Sequence, residues 1–312
     1  MTSAFHVYIG PDGLAARPDV RKIGVSDCFA ALAEGFDDFR AMPSHLAFLG
    51  AFYVLGGIVL ASLGSFVNLL QLVFPIAAGF ALVGPFLAIG LYEMSRRREA
   101  GMNPDWRDAF AVLRSPALPA IGVLGLLLAA IFAAWIGAAE MIYVWLYGSD
   151  PPASAVGFLT DVLSTSRGWL LIGVGGFVGL CFAALALCLS VVSFPLLLDR
   201  DVGLAPAIDA SLRMAWENPV AVVVWGFIVA AGLIIGSLPL FVGLAIVMPV
   251  LGHATWRLYR RAIVRDPAHE HPPQAPIAAT GRPAHFHASA HSFLFPWPEN
   301  EAHDQDAAEP RR

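Results

Sequence analysis

The chain has 312 residues, 57% of them hydrophobic and 14% charged, with a formal net charge of -5. Soluble domains carry roughly a quarter charged residues, so this composition excludes an ordinary soluble protein and points to a membrane, where charge is costly and long apolar runs are required. The mildly acidic balance argues against nucleic acid as a partner, and three scattered cysteines (Cys28, Cys181, Cys188) are too few for a disulfide framework or a zinc site.

Residues 1–19 read as a flexible N-terminus. No signal peptide is expected, because the first apolar run begins only near Leu46, after a mixed-charge segment. Spans are expected at Leu46–Leu63, Leu72–Tyr92, Ala120–Leu146 and Trp169–Leu198. The run Val220–Tyr259 is too long for one span. Gly236-Ser237-Leu238-Pro239 breaks it, which predicts a tight hairpin of two helices, or a re-entrant pair. The fold class is therefore an all-α membrane protein of about six transmembrane helices within residues 20–265. From Asp266 to residue 312 the composition turns to Pro, Ala, His and acidic residues, which reads as a disordered cytoplasmic tail.

Basic residues set the orientation. Arg17, Arg21, Lys22 and Arg40 precede the first span. Arg96, Arg97, Arg98, Arg107 and Arg114 lie between the second and third, and Arg200 and Arg213 between the fourth and fifth. Arg257, Arg260, Arg261 and Arg265 follow the last. The expected outer loops hold Arg167. Both termini are accordingly expected in the cytoplasm, with the chain in a bacterial inner membrane.

One unit recurs. A short amphipathic stretch precedes each odd span: Asp27–Arg40 with Phe29, Leu32, Phe36 and Phe39; Asp105–Arg114 with Trp106, Phe110 and Leu113; Pro206–Trp216 with Ile208, Leu212 and Trp216. Offsets of three and four place these side chains on one face, with Asp37, Asp108, Arg107, Asp209 and Arg213 on the other. Pro43, Pro116 and Pro219 follow as hinges, since proline disfavours helix in the residue before it. Each even span carries its own proline, Pro85, Pro195 and Pro249, with basic residues beyond. The expectation is three helical-hairpin units, each preceded by an interfacial amphipathic helix. Gly175-x-x-x-Gly179 and Gly232-x-x-x-Gly236 suit close internal packing, with a homo-oligomer contact as the alternative.

Ionisable groups in or near the spans are functional candidates. Glu140 faces the bundle or reaches the outer interface. Asp199 and His253 each fall four residues after a repeated proline. They read as interfacial groups in contact with water, or as a pair that could bind a proton or a metal. Glu93 beside Arg96 and Arg97 reads as a solvated ion pair. Axial haem ligation would need histidines inside the spans, and only His45 and His253 come near, at the cytoplasmic edge. No catalytic, cofactor-binding or metal residue is assigned, and no cofactor is expected.

The segment Val20-Arg21-Lys22-Ile23, then Asp27, Ala30-Ala31-Leu32, Gly35, Asp38-Phe39, Pro43 and Phe48-Leu49-Gly50 resembles the opening of a bacterial family. That family is domain of unknown function 2189, integral membrane proteins. Gly84-Pro85 and Gly90-Leu91-Tyr92 resemble its second helix. The resemblance, over roughly residues 20–262, implies a similar bundle and supplies no activity. What remains is a choice between a non-enzymatic scaffold, assembly or envelope component and a transporter or channel for a small, weakly charged solute. The bilayer is the expected partner, with other membrane proteins or a second copy as further ones.

Overall fold

The computed structural model describes residues 17–42, 71–72, 75–76, 84–85, 88–239, 242–267 and 269–271. The chain divides into two units, Met1–Pro276 and Ile277–Arg312, and all described residues lie in the first. The first expected span, Pro43, most of the second span and residues 272–312 fall outside the described residues.

The described chain is helical, with two isolated antiparallel bridges, Val20 with Ile263 and Arg200 with Glu270. Helix α1 is Val25–Ala41 and α2 is Ile89–Glu99. A 3-10 helix covers Trp106–Arg114. Next come α3 (Leu118–Tyr147), α4 (Ala155–Ser164), α5 (Ser166–Ser190) and α6 (Ser193–Asp199). The series ends with α7 (Leu204–Glu217), α8 (Pro219–Ser237) and α9 (Leu244–Ala262).

Three helices among the described residues are long and apolar enough to cross a membrane: α3, the α5–α6 run Ser166–Asp199, and α8. They are the third, fourth and fifth expected spans. Helix α8, at 19 residues, is about 28 Å long, close to the thickness of the hydrocarbon. Helix α3, at 30 residues, reaches about 45 Å and must project beyond it. Its C-terminal end is capped by an element that sequence reading left as loop. Helix α4 begins at Ser154, whose hydroxyl accepts from the Gly157 N–H, and α5 begins at Thr165, which does the same for Gly168. Arg167 joins Asp161 and lies 4.6 Å over the Tyr147 ring, itself stacked on Tyr143.

The residue before each hinge proline leaves the helix. Met42 before Pro43 and Ser115 before Pro116 are extended, and Asn218 separates α7 from Pro219, the first residue of α8. Pro195 acts differently. It has no N–H to donate and its ring crowds the Val191 carbonyl, and the helix opens at Val191 and Val192, between α5 and α6. Ser211 of α7 fills the gap. Its hydroxyl donates to the Cys188 carbonyl (2.7 Å) and accepts from the Val192 N–H (3.2 Å), bridging one broken rung of the ladder.

The short helices pack in a cyclic order. The 3-10 helix lies on α2, the return helix before it, and α7 lies on α5 and α6. Helix α1 has no earlier unit and lies on α9, the last helix. Closing the ring this way demands small residues. A Cβ on Gly35 would stand 2.5 Å from the Ala254 backbone, one on Gly252 would stand 2.4 Å from Leu91, and one on Gly90 would stand 3.0 Å from Ala109. Of the spaced glycines of the spans, Gly179 meets Trp135, and Gly232 and Gly236 meet Val247 and Leu244, whereas a Cβ on Gly175 would meet open space. Two threads complete the closure. The Arg21 N–H donates to the Ala262 carbonyl (2.7 Å), and Asn218 accepts from the Ile23 N–H while donating to the Arg21 carbonyl.

Gly35→Val should lower stability by about 2 kcal/mol or more through overpacking against Ala254. Gly137→Ala on α3, where a Cβ meets open space, should not destabilise and should raise stability by up to about 1 kcal/mol through helix propensity. Thermal melting of both variants in one detergent checks the pair.

Candidate functional site

Polar side chains concentrate where the helices leave the membrane on the side of α1, the 3-10 helix and α7. The return helices α2 and α9 carry arginines at the same offsets beyond Pro85 and Pro249. Arg96 corresponds to Arg260, and Arg97 to Arg261. The second of each pair reaches the short helix packed on it. Arg97 Nη1 bonds Asp108 Oδ1 at 3.0 Å, and Arg261 bonds both oxygens of Glu34 on α1 at 2.9 and 2.8 Å. Asp108 also accepts from the Asp105 N–H, so one carboxylate both starts the 3-10 helix and neutralises the arginine. The second unit departs from this pattern, because α6 stops at Asp199 and Arg200.

Three clusters fill this layer. In the first, Asp38 of α1 is 1% exposed. It accepts from Arg257 Nε (2.9 Å) and Nη2 (2.7 Å), from Arg98, and from the Ser95 hydroxyl (2.8 Å). In the second, Glu93 takes Arg96 on one oxygen and Arg97 on the other, each at 2.8 Å. In the third, Asp199 accepts from the Tyr259 hydroxyl (2.6 Å) and Arg260 (2.8 Å). Arg260 continues to Glu99, which also receives the Trp256 indole N–H.

The structure corrects the sequence reading at four points. Glu93 is buried at 1% exposure, not solvated. Asp108, placed on the outer polar face, is buried against Arg97. Asp199 and His253 are buried at 1% and 0%, so neither is a group in contact with water. They are also held by different partners, since His253 Nδ1 meets Ser95 Oγ at 2.8 Å while Asp199 is held by Tyr259 and Arg260. Burial follows from α1 and the segment after α9 folding over the helix ends, which no local pattern announces. Glu140 is half-buried and receives a hydrogen bond from Gln71, at the outer end of the second expected span.

Asp38, Ser95 and His253 have the residue types of a hydrolytic triad in the wrong order. The serine stands between the acid and the imidazole, not at the end of the chain. Ser95 Oγ stands 2.8 Å from both Asp38 Oδ2 and His253 Nδ1, so its single proton serves one of them and the imidazole tautomer sets which. No group of three or more His, Cys, Asp or Glu among the described residues could hold a metal ion.

The chain after α9 clasps this layer. His271 N–H donates to the Asp199 carbonyl (2.7 Å), and Arg96 donates to the His271 carbonyl (2.8 Å). Glu270 bonds Arg265 and Arg260. Sequence reading missed Asp38, Ser95, Ser211 and Asn218. The one available signal was the Asp105-x-x-Asp108 spacing, which marks a helix start.

Three long apolar helices beside a closed polar layer define an integral membrane protein. The family described as predicted integral membrane proteins, domain of unknown function 2189, matches residues 73–199. The match takes in Gly84-Pro85 and Gly90-Leu91-Tyr92 and ends at Asp199, so the opening segment lies outside it. Neither the curated proteins nor the solved structures contain a match to the chain.

Asp38→Ala leaves Arg257 and Arg98 without their carboxylate and should cost about 3–5 kcal/mol. Glu34→Ala removes a pair whose acid is 45% exposed and should cost under about 1 kcal/mol. Thermal melting in detergent separates the two.

The clasp should also loosen in acid. Burial holds the His271 imidazole below its usual pKa. The hydrogen bond from Arg265 holds the Glu270 carboxyl below the usual carboxylate range, against its desolvation. Both folded values lie below the unfolded ones, so the released segment binds more protons in acid. The clasp is at full strength above the ordinary imidazole pKa. It weakens below that through His271, and further as the pH falls through the lowered pKa of Glu270. Hydrogen exchange at Asp201, Val264 and His271, corrected for intrinsic rates, should show less protection at about pH 5 than at about pH 7.5.

Proposed function

We propose that this protein is a non-enzymatic scaffold or assembly component of a bacterial inner membrane, crossing about six times in three hairpin units with both termini in the cytoplasm. The supporting observation is that the buried ionisable groups are committed to one another. Asp38, Glu93, Asp108 and Asp199 each hold an arginine, and the Ser95 hydroxyl is tied to Asp38. Such a layer fixes helices and does no chemistry. The short helices lie in the interface as each unit's lead-in, because the 3-10 helix and α7 pass directly into α3 and α8 through Pro116 and Pro219. The basic residues near the span ends gather on this side, which supports its cytoplasmic placement.

A second reading, transport of a small weakly charged solute, draws on the opened helix at Val191–Val192 and on Pro249 inside α9. Purified protein in liposomes separates the two: a scaffold leaves glycerol permeation at the protein-free rate, and an accelerated, saturable flux would overturn it. Reporter fusions after residue 103 and residue 266 should read cytoplasmic, and one after residue 152 external. A tagged chain should retain a stoichiometric membrane-protein partner or a second copy through mild-detergent purification, and a clean monomer would count against the scaffold.

A further inference from the structure

The arginines of the membrane-exit layer fall into two groups. Arg96, Arg97, Arg257, Arg260 and Arg261 each hold a carboxylate. Arg40, Arg107 and Arg114 form no ion pair among the described residues, although Asp37 lies one turn from Arg40. All three are exposed, all three sit on the short helices, and Arg40 and Arg114 occupy last turns, beside Pro43 and Pro116. Their neighbours are rings that the rest of the chain leaves partly exposed. Arg40 lies 5.9 Å over Phe36, and Arg107 lies 5.5 Å over Trp106. Phe29, Phe36 and Phe110 are 56%, 45% and 52% exposed.

What covers these rings can be read from the helices that follow. On α7 the large exposed apolar side chains are Leu212 and Trp216, the latter 87% exposed. Across Pro219 the exposed face continues at helical spacing through Val220, Val223 and Phe227 of α8, a membrane-crossing helix. One solvent, the bilayer, must meet the whole face, with Trp216 at its headgroup level. Arginines beside rings at that level stand where lipid phosphates are, with free guanidinium groups in reach of phosphate oxygens.

We propose that Arg40, Arg107 and Arg114 are binding positions for the phosphate groups of anionic phospholipids, with the adjoining rings seated among the acyl-chain ends below. This rests on the reading of the short helices as interfacial. Charge complementarity selects anionic lipid, because these cations carry no counter-ion among the described residues and basic groups beside an anionic surface are drawn to it.

The full chain, reconstituted in equal phosphatidylglycerol and phosphatidylcholine and extracted in mild detergent, is weighed intact by native mass spectrometry. Retained phosphatidylglycerol should exceed phosphatidylcholine several-fold. The triple variant R40Q/R107Q/R114Q should lose that excess, and R265Q, which removes a paired arginine, should keep it. Equal retention of the two lipids, or an unchanged excess in the triple variant, overturns the proposal. If the triple variant does not fold, R107Q alone carries the test by a partial loss, and no loss overturns it. Quenching by lipids brominated near the headgroup, compared between wild type, W106F and W216F, tests the underlying placement separately. Quenching of both tryptophans without a lipid preference refutes the arginine sites alone, and its absence refutes the interfacial reading with them.

Discussion

A guanidinium taken out of water must be met by a carboxylate or it will not stay there, because the uncompensated charge costs several kcal/mol. The membrane-exit layer is organised by that demand. Helices α2 and α9 bring pairs of arginines to this layer at matching offsets, and the second of each pair is answered from the short helix packed on it, Arg97 by Asp108 and Arg261 by Glu34. The acid therefore decides which helix covers which exit. Asp38 extends the logic. It lies on α1 yet gathers Arg98 from α2 and Arg257 from α9, so one carboxylate ties three helices together.

Backbone obeys the same rule as side chains. In hydrocarbon every N–H and C=O needs a partner, and a proline removes one. The opening at Val191–Val192 persists because Ser211 supplies both a donor and an acceptor at one broken rung. Ser193 adds a bond to the Ala207 carbonyl on the same α7 helix. The covering helix is thus part of the repair, and α7 is held by hydroxyls where the 3-10 helix and α1 are held by ion pairs.

How much of this was legible follows from what each feature depends on. The long spans depend on apolar length alone, and α3, α5–α6 and α8 lie where hydropathy puts them. The hairpin break at Ser237 and the extended residues before Pro43 and Pro116 depend on one or two local residues and were readable too. Burial of Glu93, Asp199 and His253 depends on contacts far along the chain: Asp199 with Tyr259, and His253 with Ser95. A sequence read locally shows a charge near a helix end and assigns it to water. The cyclic packing of α1 on α9 leaves only one trace, Gly35, which makes sense once Ala254 is known to lie against it. Helix α4 was missed because its ten residues carry an ordinary Ser cap and no strong breaker.

The layer also bears on which motions the bundle allows. Rocking one hairpin against the others at this end would separate Arg257 from Asp38, or Arg260 from Asp199 across the clasp. Each separation strands a charge in a site with little water, at about 3–5 kcal/mol. Such a cost is prohibitive for a step repeated in every transport cycle unless a ligand supplies it. The opposite end is held differently, by stacked rings and the Arg167–Asp161 pair, whose arginine side chain is 55% exposed. Exposed pairs of that kind are weak. Among the described residues the stronger ties are therefore those of the arginine layer, and the weaker ones lie on the side of α4.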